Sequence, residues 1–228
     1  MKKYLVMLLA AVMLLSLAAC GRQENTSPTG QADPNANTQA VIDPEGTAPE
    51  FDMQTSEEKH IVNIGEVDKS LFQLPVMVTS FGQSTDASTI DQALSRSNVE
   101  HTYTPQATAD DMAGFKTVFI AVGASTKGMG AAGIKEDAEV ARAEAIMAKL
   151  KETGATVVCA HIGGGTRRGA LSDKLTDMVL PQCKYIILKE DANFDYKFTK
   201  YAEENKLPIT LIFANKDTVQ VMSALFGK

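Results

Sequence analysis

Hydrophobic and polar positions divide the chain into three parts. Residues 5–15 are almost entirely apolar, residues 21–59 hold few large apolar residues, and from His60 onward short apolar runs alternate with amphipathic stretches. The short runs have the length and β-branched content of buried strands, and the amphipathic stretches have helical spacing. This alternation predicts a parallel sheet that is covered by helices on both faces.

Seven apolar runs are candidate strands, and the clearest, 117–122, is apolar enough for burial on both faces. The candidates are residues 61–64, 75–79, 101–104, 117–122, 156–160, 185–188 and 209–213. The clearest helix is predicted over 137–152. Right-handed crossovers then predict one doubly wound α/β domain over residues 60–228. It would be a flavodoxin-like or Rossmann-like three-layer sandwich with about five or six mainly parallel strands.

The N-terminus carries a targeting signal. Lys2 and Lys3 precede the apolar run, and Leu17-Ala-Ala-Cys20 follows it. This layout resembles the signal peptide and lipobox of bacterial lipoproteins, in which the cysteine is acylated, for example with palmitate, and becomes the new N-terminus. The run is too short for a membrane-spanning helix. We expect a signal peptide over residues 1–20, lipidation at Cys20 and a cell-envelope location outside the cytoplasm. An ordinary secretory signal is the alternative.

Composition narrows the partners. Residues 21–59 contain four prolines among polar residues, which predicts a disordered linker that cannot offset its ordering entropy. Removal of the signal takes away two lysines and no acid, so the formal net charge moves from −6 to −8. Nucleic acid is therefore not an expected partner, since phosphate binding needs clustered Lys and Arg. The membrane is expected as a partner through the lipid, and an envelope protein or transporter is a further candidate.

Two cysteines remain after processing, Cys159 and Cys183. If their strands are parallel neighbours, their offset of about five residues is roughly 16 Å along the sheet. A disulfide needs Cα atoms within about 7 Å. Both are expected to be buried and unpaired, and their redox state stays open.

The strongest candidate for ligand binding is the segment HIGGGTRRG at residues 161–169. In doubly wound sheets, ligands bind at loops beyond the carboxyl ends of the strands. The glycines at 163–165 (Gly163, Gly164 and Gly165) let backbone N–H groups converge, and Arg167 and Arg168 stand where the next helix begins, a place that favours anions. A flexible loop with two solvated arginines is the alternative.

Two further loops and one aspartate complete the predicted site. The loop after 75–79 lies where a flavodoxin-like fold has its phosphate loop, although helix capping also explains its composition. The loop after 117–122 contains Gly128-x-Gly130-x-x-Gly133, which has the glycine spacing of the dinucleotide-binding fingerprint. It is not interpreted as one, because the fingerprint should begin at the end of the strand and this motif begins several residues later. The residues contributed are Ser80, Gly82, Gln83, Ser84, Thr85, Ser125, Lys127, Gly128 and Asp191.

Catalysis has one weak candidate, His161, as an acid or base beside Asp173 or Asp191. A structural histidine is the favoured interpretation. The histidines have no metal-ligand spacing, and Gly-x-Ser-x-Gly is absent, so no metal site and no serine hydrolase is predicted. No cofactor is predicted either.

Three segments resemble an uncharacterised domain-of-unknown-function family of bacterial exported proteins. They are TSFGQSTDAS at 79–88, AVGASTKGMGAAGI at 121–134 and HIGGGTRRGALSDKL at 161–175. The resemblance covers about residues 74–213. It implies a shared α/β domain and brings no activity, catalytic residue or cofactor.

These observations predict a lipid-anchored extracytoplasmic domain that binds a small anionic or polar solute at the carboxyl edge of the sheet. A binding protein is favoured over an enzyme. The first alternative is a hydrolase or transferase that acts on a phosphorylated or carboxylated compound, with His161 as acid or base. A flavin or nucleotide carrier is weaker, because the chain has no Trp and Phe81 is the one aromatic residue in the key loops.

Overall fold

The structure is a computed structural model that describes residues 53–228. The predicted signal peptide with Cys20, and most of the predicted linker, lie outside the described residues. Within the described part, no helix combines the length and apolar character needed to cross a membrane.

A single seven-stranded sheet forms the centre of the domain, in the order β1-β7-β6-β5-β4-β2-β3. The strands are β1 (Ile61–Ile64), β2 (Val76–Phe81), β3 (His101–Tyr103), β4 (Thr117–Val122), β5 (Thr156–His161), β6 (Cys183–Lys189) and β7 (Ile209–Ile212). All neighbours are parallel except β1 and β7, which are antiparallel. The strand count exceeds the expected five or six because both candidate edge runs pair with the sheet.

The order of the parallel strands is that of a flavodoxin-like sheet. The chain starts at β2, moves outward to β3, and then returns past β2 to β4 and onward to β7. The direction of winding therefore reverses between β2 and β4. In such folds this reversal opens a crevice in which ligands bind.

Six α-helices cover the two faces. They are α1 (Asp86–Arg96), α2 (Thr126–Ala132), α3 (Glu136–Thr153), α4 (Ala170–Val179), α5 (Lys197–Asn205) and α6 (Thr218–Phe226). One core layer joins the sheet to α3, α4 and α5, and the other joins it to α1 and α6. Adjacent residues of β4 face opposite layers: Val118 and Ile120 pack with α3, whereas Phe119 packs with α1. The predicted three-layer sandwich is confirmed.

Residues before the expected domain boundary at residue 60 contact the folded domain. The backbone N–H groups of Gln54 and Thr55 donate to the two carboxylate oxygens of Glu190, at 2.5 and 2.6 Å. Glu190 directly follows β6 and is 1% exposed. Residues 53–59, assigned to the linker by composition, thus include a segment that is fixed to the carboxyl edge of the sheet.

Both cysteines of the domain are buried and free, as predicted. In the register of the sheet Cys159 lies opposite Ile186, and Cys183 lies opposite Val157, two residues before Cys159, so the expected offset of about five residues is wrong. Burial raises the pKa of the Cys183 thiol to about 12. Both side chains act as small apolar residues.

Candidate functional site

The loops that follow β2 and β4 are bonded to each other across the predicted crevice. Ser125 N–H donates to the Gly82 carbonyl at 2.8 Å, and Gln83 forms an isolated antiparallel bridge with Ala124. Gly82 has a φ of +93°, and a Cβ there would lie 2.5 Å from the Gly123 carbonyl oxygen. Gly82 is therefore needed for the close approach of the second loop. Gly82 was expected to bring its backbone close to a phosphate. Its backbone is instead hydrogen-bonded to protein groups, Glu139 and Ser125.

A buried ion pair beneath these loops uses several predicted ligand-binding groups. Glu139 is fully buried and accepts from Gly82 N–H at 2.6 Å and from Gln83 Nε2 at 3.2 Å. Arg142 pairs with Glu139 at 2.7 Å and donates to the Ser80 carbonyl. The pair is not evident from the sequence, because two charges on α3 are typical of a solvated helix face. Gln83 and the Ser80 backbone consequently serve the fold.

The third loop mainly starts a helix. Ser125 Oγ accepts from Gly128 N–H at 3.0 Å and caps α2. A Cβ at Gly128 would lie 2.0 Å from the Gln83 carbonyl oxygen, so glycine is required there for packing. Ser125 and Gly128 thus have structural roles, and their predicted part in ligand binding stays a prediction. Lys127 is exposed at the start of α2 and stays available at the rim.

The centre of the remaining site is a residue that sequence reasoning missed, Asp86, in the first turn of α1. It is 3% exposed, and its Oδ2 atom has no hydrogen-bond partner within residues 53–228. A Cβ at Gly163 would lie 2.6 Å from this oxygen and 2.3 Å from Arg167 Cγ. A Cβ at Gly123 would lie 3.2 Å from Oδ2 and from Ser84 Oγ. Two glycines therefore leave the space in which the carboxylate sits.

Opposite charges meet at this point without forming an ion pair. Burial raises the pKa of the Asp86 carboxyl, while the Ser84 hydroxyl, Arg167 and the Gly163 N–H act in the opposite direction. Arg167 is half-buried. Its guanidinium makes no hydrogen bond or ion pair inside the described range, and no cation lies within 4 Å of the Asp86 carboxylate there. Both charges have capacity left for another partner.

Arg168, predicted to bind an anion beside Arg167, has a different role. Its side chain is 4% exposed and pairs with Asp173 and Asp195, each at 2.7 Å. It also donates to the Ala192 carbonyl at 2.6 Å and lies 4.8 Å from the centre of the Phe194 ring. These contacts use its donors to join the residues 161–169 loop to the loop after β6. The expectation of a guanidinium pair is therefore wrong, and one arginine remains.

His161 is a core residue. It is 0% exposed, its ring centroid lies 5.3 Å from that of Phe198, and neither ring nitrogen has a hydrogen-bond partner in the described chain. Burial, followed by the positive charge of Arg168, lowers its pKa to about 4. The imidazole is neutral near pH 7 and has no serine within hydrogen-bonding distance. The favoured structural interpretation fits this arrangement.

The rest of the glycine-rich loop borders the same place. A Cβ at Gly164 would lie 2.6 Å from Asp191 Oδ1, and one at Gly165 would lie 3.1 Å from the Asp191 carbonyl oxygen. Asp191 also pairs with Lys189 at 3.1 Å. Thr85 is exposed at the start of α1 and makes no capping hydrogen bond.

The structure therefore brings a subset of the predicted residues together around Asp86. These are Ser84, Thr85, Gly163 and Arg167, while Gly164 and Gly165 continue the same loop toward Asp191. Cavities of about 790 and 360 Å³ lie elsewhere, beside α5 and α6, and none of the predicted site residues lines either one. The candidate site is a loop surface with a buried carboxylate beneath it.

Comparison with known proteins assigns a family to this domain. A family model described as "Domain of unknown function (DUF6305)" matches residues 73–226, more than half of the chain. The chain belongs to the DUF6305 family. The matched range contains all three glycine-rich loops, so the resemblance to an uncharacterised domain family is confirmed at that level.

Other comparisons add little to the DUF6305 assignment. The search of curated proteins gave no match. The chain is similar to a solved structure titled "Crystal structure of VC2308 protein", with 10% identity and a TM-score of 0.35, covering 67% of this chain and 83% of that one. A similarity this low carries no argument about the DUF6305 domain.

Proposed function

We propose that this DUF6305 protein is a lipid-anchored extracytoplasmic domain that binds a small polar solute at the carboxyl edge of its sheet. The observation that carries the proposal is Asp86 Oδ2, a buried acceptor without a partner in the described chain, next to the unpaired Arg167. Buried polar atoms in folded proteins nearly always have partners. A bound solute that donates to Asp86 would supply the missing one.

The charges of the site favour a solute with little net charge. Arg168 is occupied by Asp173 and Asp195, so Arg167 is the arginine left for an anion. Asp86 lies beside it and repels negative charge. A phosphorylated compound with two charges would face this carboxylate at close range. The sequence predicted an anionic or polar solute. The charges of the site favour a polar solute with at most one anionic group.

The two alternative functions find less support. An acid–base role for His161 needs contact with a substrate, and its ring is fully buried against Phe198. A flavin or nucleotide carrier needs an open crevice between β2 and β4, and the two loops that border this crevice are joined by the Gly82–Ser125 hydrogen bond. Neither alternative is favoured by a specific contact of the described residues.

The solute is tested by native mass spectrometry of the full chain, purified from its own host in detergent. We expect a small molecule that stays with the wild type and is lost from Arg167→Gln. Arg96→Gln is the matched control, because Arg96 is exposed on α1 away from the loop. Equal retention by both variants would remove Arg167 from the site. Absence of any retained molecule from the wild type would count against solute binding.

The anchor is tested separately with Cys20→Ser. The lipobox interpretation predicts that this variant keeps its signal peptide uncleaved and incorporates no labelled palmitate, whereas the wild type is labelled and sediments with membranes. Labelling of the variant would contradict lipidation at Cys20. This outcome is independent of the solute experiment.

A further inference from the structure

Asp86 and Arg167 carry opposite charges and both lie against Gly163, yet no ion pair joins them. The Asp86 Oδ2 atom lies 2.6 Å and Arg167 Cγ lies 2.3 Å from the position that a Gly163 Cβ would take. No ion pair within 4 Å joins their charged groups, and neither forms one elsewhere in residues 53–228. Neighbouring opposite charges normally gain by closing such a gap. The two side chains therefore lie close together while each charged group keeps capacity for another partner.

We propose that this partner is a small zwitterion of the α-amino-acid class, with its ammonium on Asp86 and its carboxylate on Arg167. The inference rests on the proposed function and names its ligand class. A zwitterion meets each charge of the site with the opposite one, so neither Asp86 nor Arg167 loses hydration without gaining a charge-assisted hydrogen bond. The net charge of the site does not change on binding.

Simpler ions satisfy only one half of the site. An inorganic anion accepts hydrogen bonds from Arg167, but it has no donor for Asp86 Oδ2 and is repelled by that carboxylate. A simple amine pairs with Asp86 and is repelled by Arg167. The Ser84 hydroxyl and the Gly163 N–H act on the Asp86 carboxylate and favour its charged form. Both act against burial, which is the larger effect and raises the pKa of the Asp86 carboxyl.

Access to Asp86 depends on the Arg167 side chain. A Gly163 Cβ would lie 2.9 Å from Arg167 Cβ as well as 2.3 Å from its Cγ, so the stem of this arginine lies over the glycine. The side chain is half-buried and its guanidinium has no partner in the described chain, so it rotates without breaking an ion pair. We expect Arg167 to swing outward, admit the ammonium end, and close on the carboxylate.

The test is a thermal-shift series on the detergent-solubilised full chain at constant ionic strength. The probes are the standard α-amino acids, inorganic phosphate, and, for each amino acid that binds, its deaminated acid and its decarboxylated amine. We expect at least one amino acid to raise Tm by about 5 °C at a roughly hundredfold excess over Kd. Its two one-ended analogues should give less than about a third of that shift, because each lacks one ion pair.

Variants connect the shift to the site. Asp86→Asn and Arg167→Gln should each lose at least about half of the amino-acid shift, and Arg96→Gln should keep it, since an ion pair at one end worth about tenfold in affinity halves the shift at this excess. For each variant, the Tm with ligand is compared with the Tm of the same variant without ligand. A change in stability caused by the substitution itself therefore does not affect the comparison. Arg167→Lys should restore part of the shift, because it keeps the charge and loses the planar fork.

The outcomes separate the ligand class from the function. Equal shifts with phosphate or with a deaminated acid would overturn the zwitterion. If no amino acid shifts Tm while native mass spectrometry finds a retained solute of another class, the ligand class is wrong and solute binding stands. If neither experiment finds a ligand, both proposals fall.

Discussion

The buried His161 makes a quantitative prediction about stability and pH. Its pKa is about 4 in the folded protein, against 6.5 for an ordinary solvated histidine, so the unfolded chain takes up a proton first as the pH falls. The free energy of unfolding therefore decreases with falling pH between about 6.5 and 4. Each pKa unit is worth about 1.4 kcal/mol, which gives a loss of about 2 kcal/mol at pH 5 and about 3 kcal/mol at pH 4.

The perturbation that isolates this effect is His161→Phe. Phenylalanine keeps a ring against Phe198 and removes two ring nitrogens that have no partner in the described structure. At pH 7 we expect a change of less than about 1 kcal/mol, because an unpaired buried polar group is exchanged for an apolar one of similar shape. At pH 5 the variant should be more stable than the wild type by about 2 kcal/mol beyond any difference at pH 7.

Urea denaturation followed by circular dichroism at several pH values between 7 and 5 measures this difference. All other titrating groups are common to both proteins, so the difference between the two curves reports His161. A substitution at His101, which lies on the edge strand β3 and pairs with Asp91 of α1, is the control and should leave the His161 contribution unchanged. Parallel curves for wild type and His161→Phe would refute the reasoning. So would an NMR titration in which the His161 ring protonates near pH 6.5.

Three further substitutions test the site and its support. Asp86→Asn should raise the free energy of unfolding at pH 7, since the raised pKa of Asp86 means that its charged form costs stability above that pKa. Gly163→Ala should cost about 1–3 kcal/mol by overpacking against Arg167, whereas Gly130→Ala, with nothing within 4 Å, should not destabilise. Arg142→Met should cost about 3–5 kcal/mol by isolating a buried carboxylate, against about 0–1 kcal/mol for Lys149→Met in an exposed pair. Urea denaturation measures all three. Destabilisation by Asp86→Asn, equal effects in the glycine pair, or equal effects in the ion-pair comparison would contradict them.

The fold was predictable because its signals are local. The apolar run 117–122 corresponds to β4, and the amphipathic stretch 137–152 corresponds to α3 with one residue added at each end. The antiparallel pairing of β1 with β7 joins residues that are far apart in sequence. Nothing in the four residues of β1 specifies that partner, so the strand count was the part of the fold that the pattern left open.

The location of the candidate site could be predicted from the sequence, but the contacts among its side chains could not. Strand ends and glycine-rich loops locate an edge of the sheet, and the structure places Gly163, Gly164, Gly165 and Arg167 there. The sequence does not distinguish a free arginine from one that is paired: Arg167 and Arg168 are adjacent, and only the second meets Asp173 and Asp195. Those partners are set by tertiary packing of three loops.

Asp86 was missed for a related reason. An acidic residue in the first turn of a helix is common, since it complements the helix dipole, and so it draws no attention in a sequence. Its burial depends on two glycines from other loops, Gly123 and Gly163, which lie far from it in sequence. The useful signal is the combination of a short acidic side chain at one strand end with glycines at the two neighbouring strand ends.

The distribution of unsatisfied polar atoms supports this edge as the functional one. Within the described residues, six buried side-chain atoms lack a partner, and they belong to Thr55, Ser80, Asp86, His161 and Asn215. All of these residues lie at the carboxyl ends of the parallel strands or in segments that pack on them, whereas the two apolar layers of the core contain none. Each such atom costs stability, and folded proteins concentrate such costs where a site requires them. Two of these residues, Asp86 and His161, adjoin or belong to the glycine-rich loop that carries Arg167, which is the observation that supports a ligand at that part of the edge.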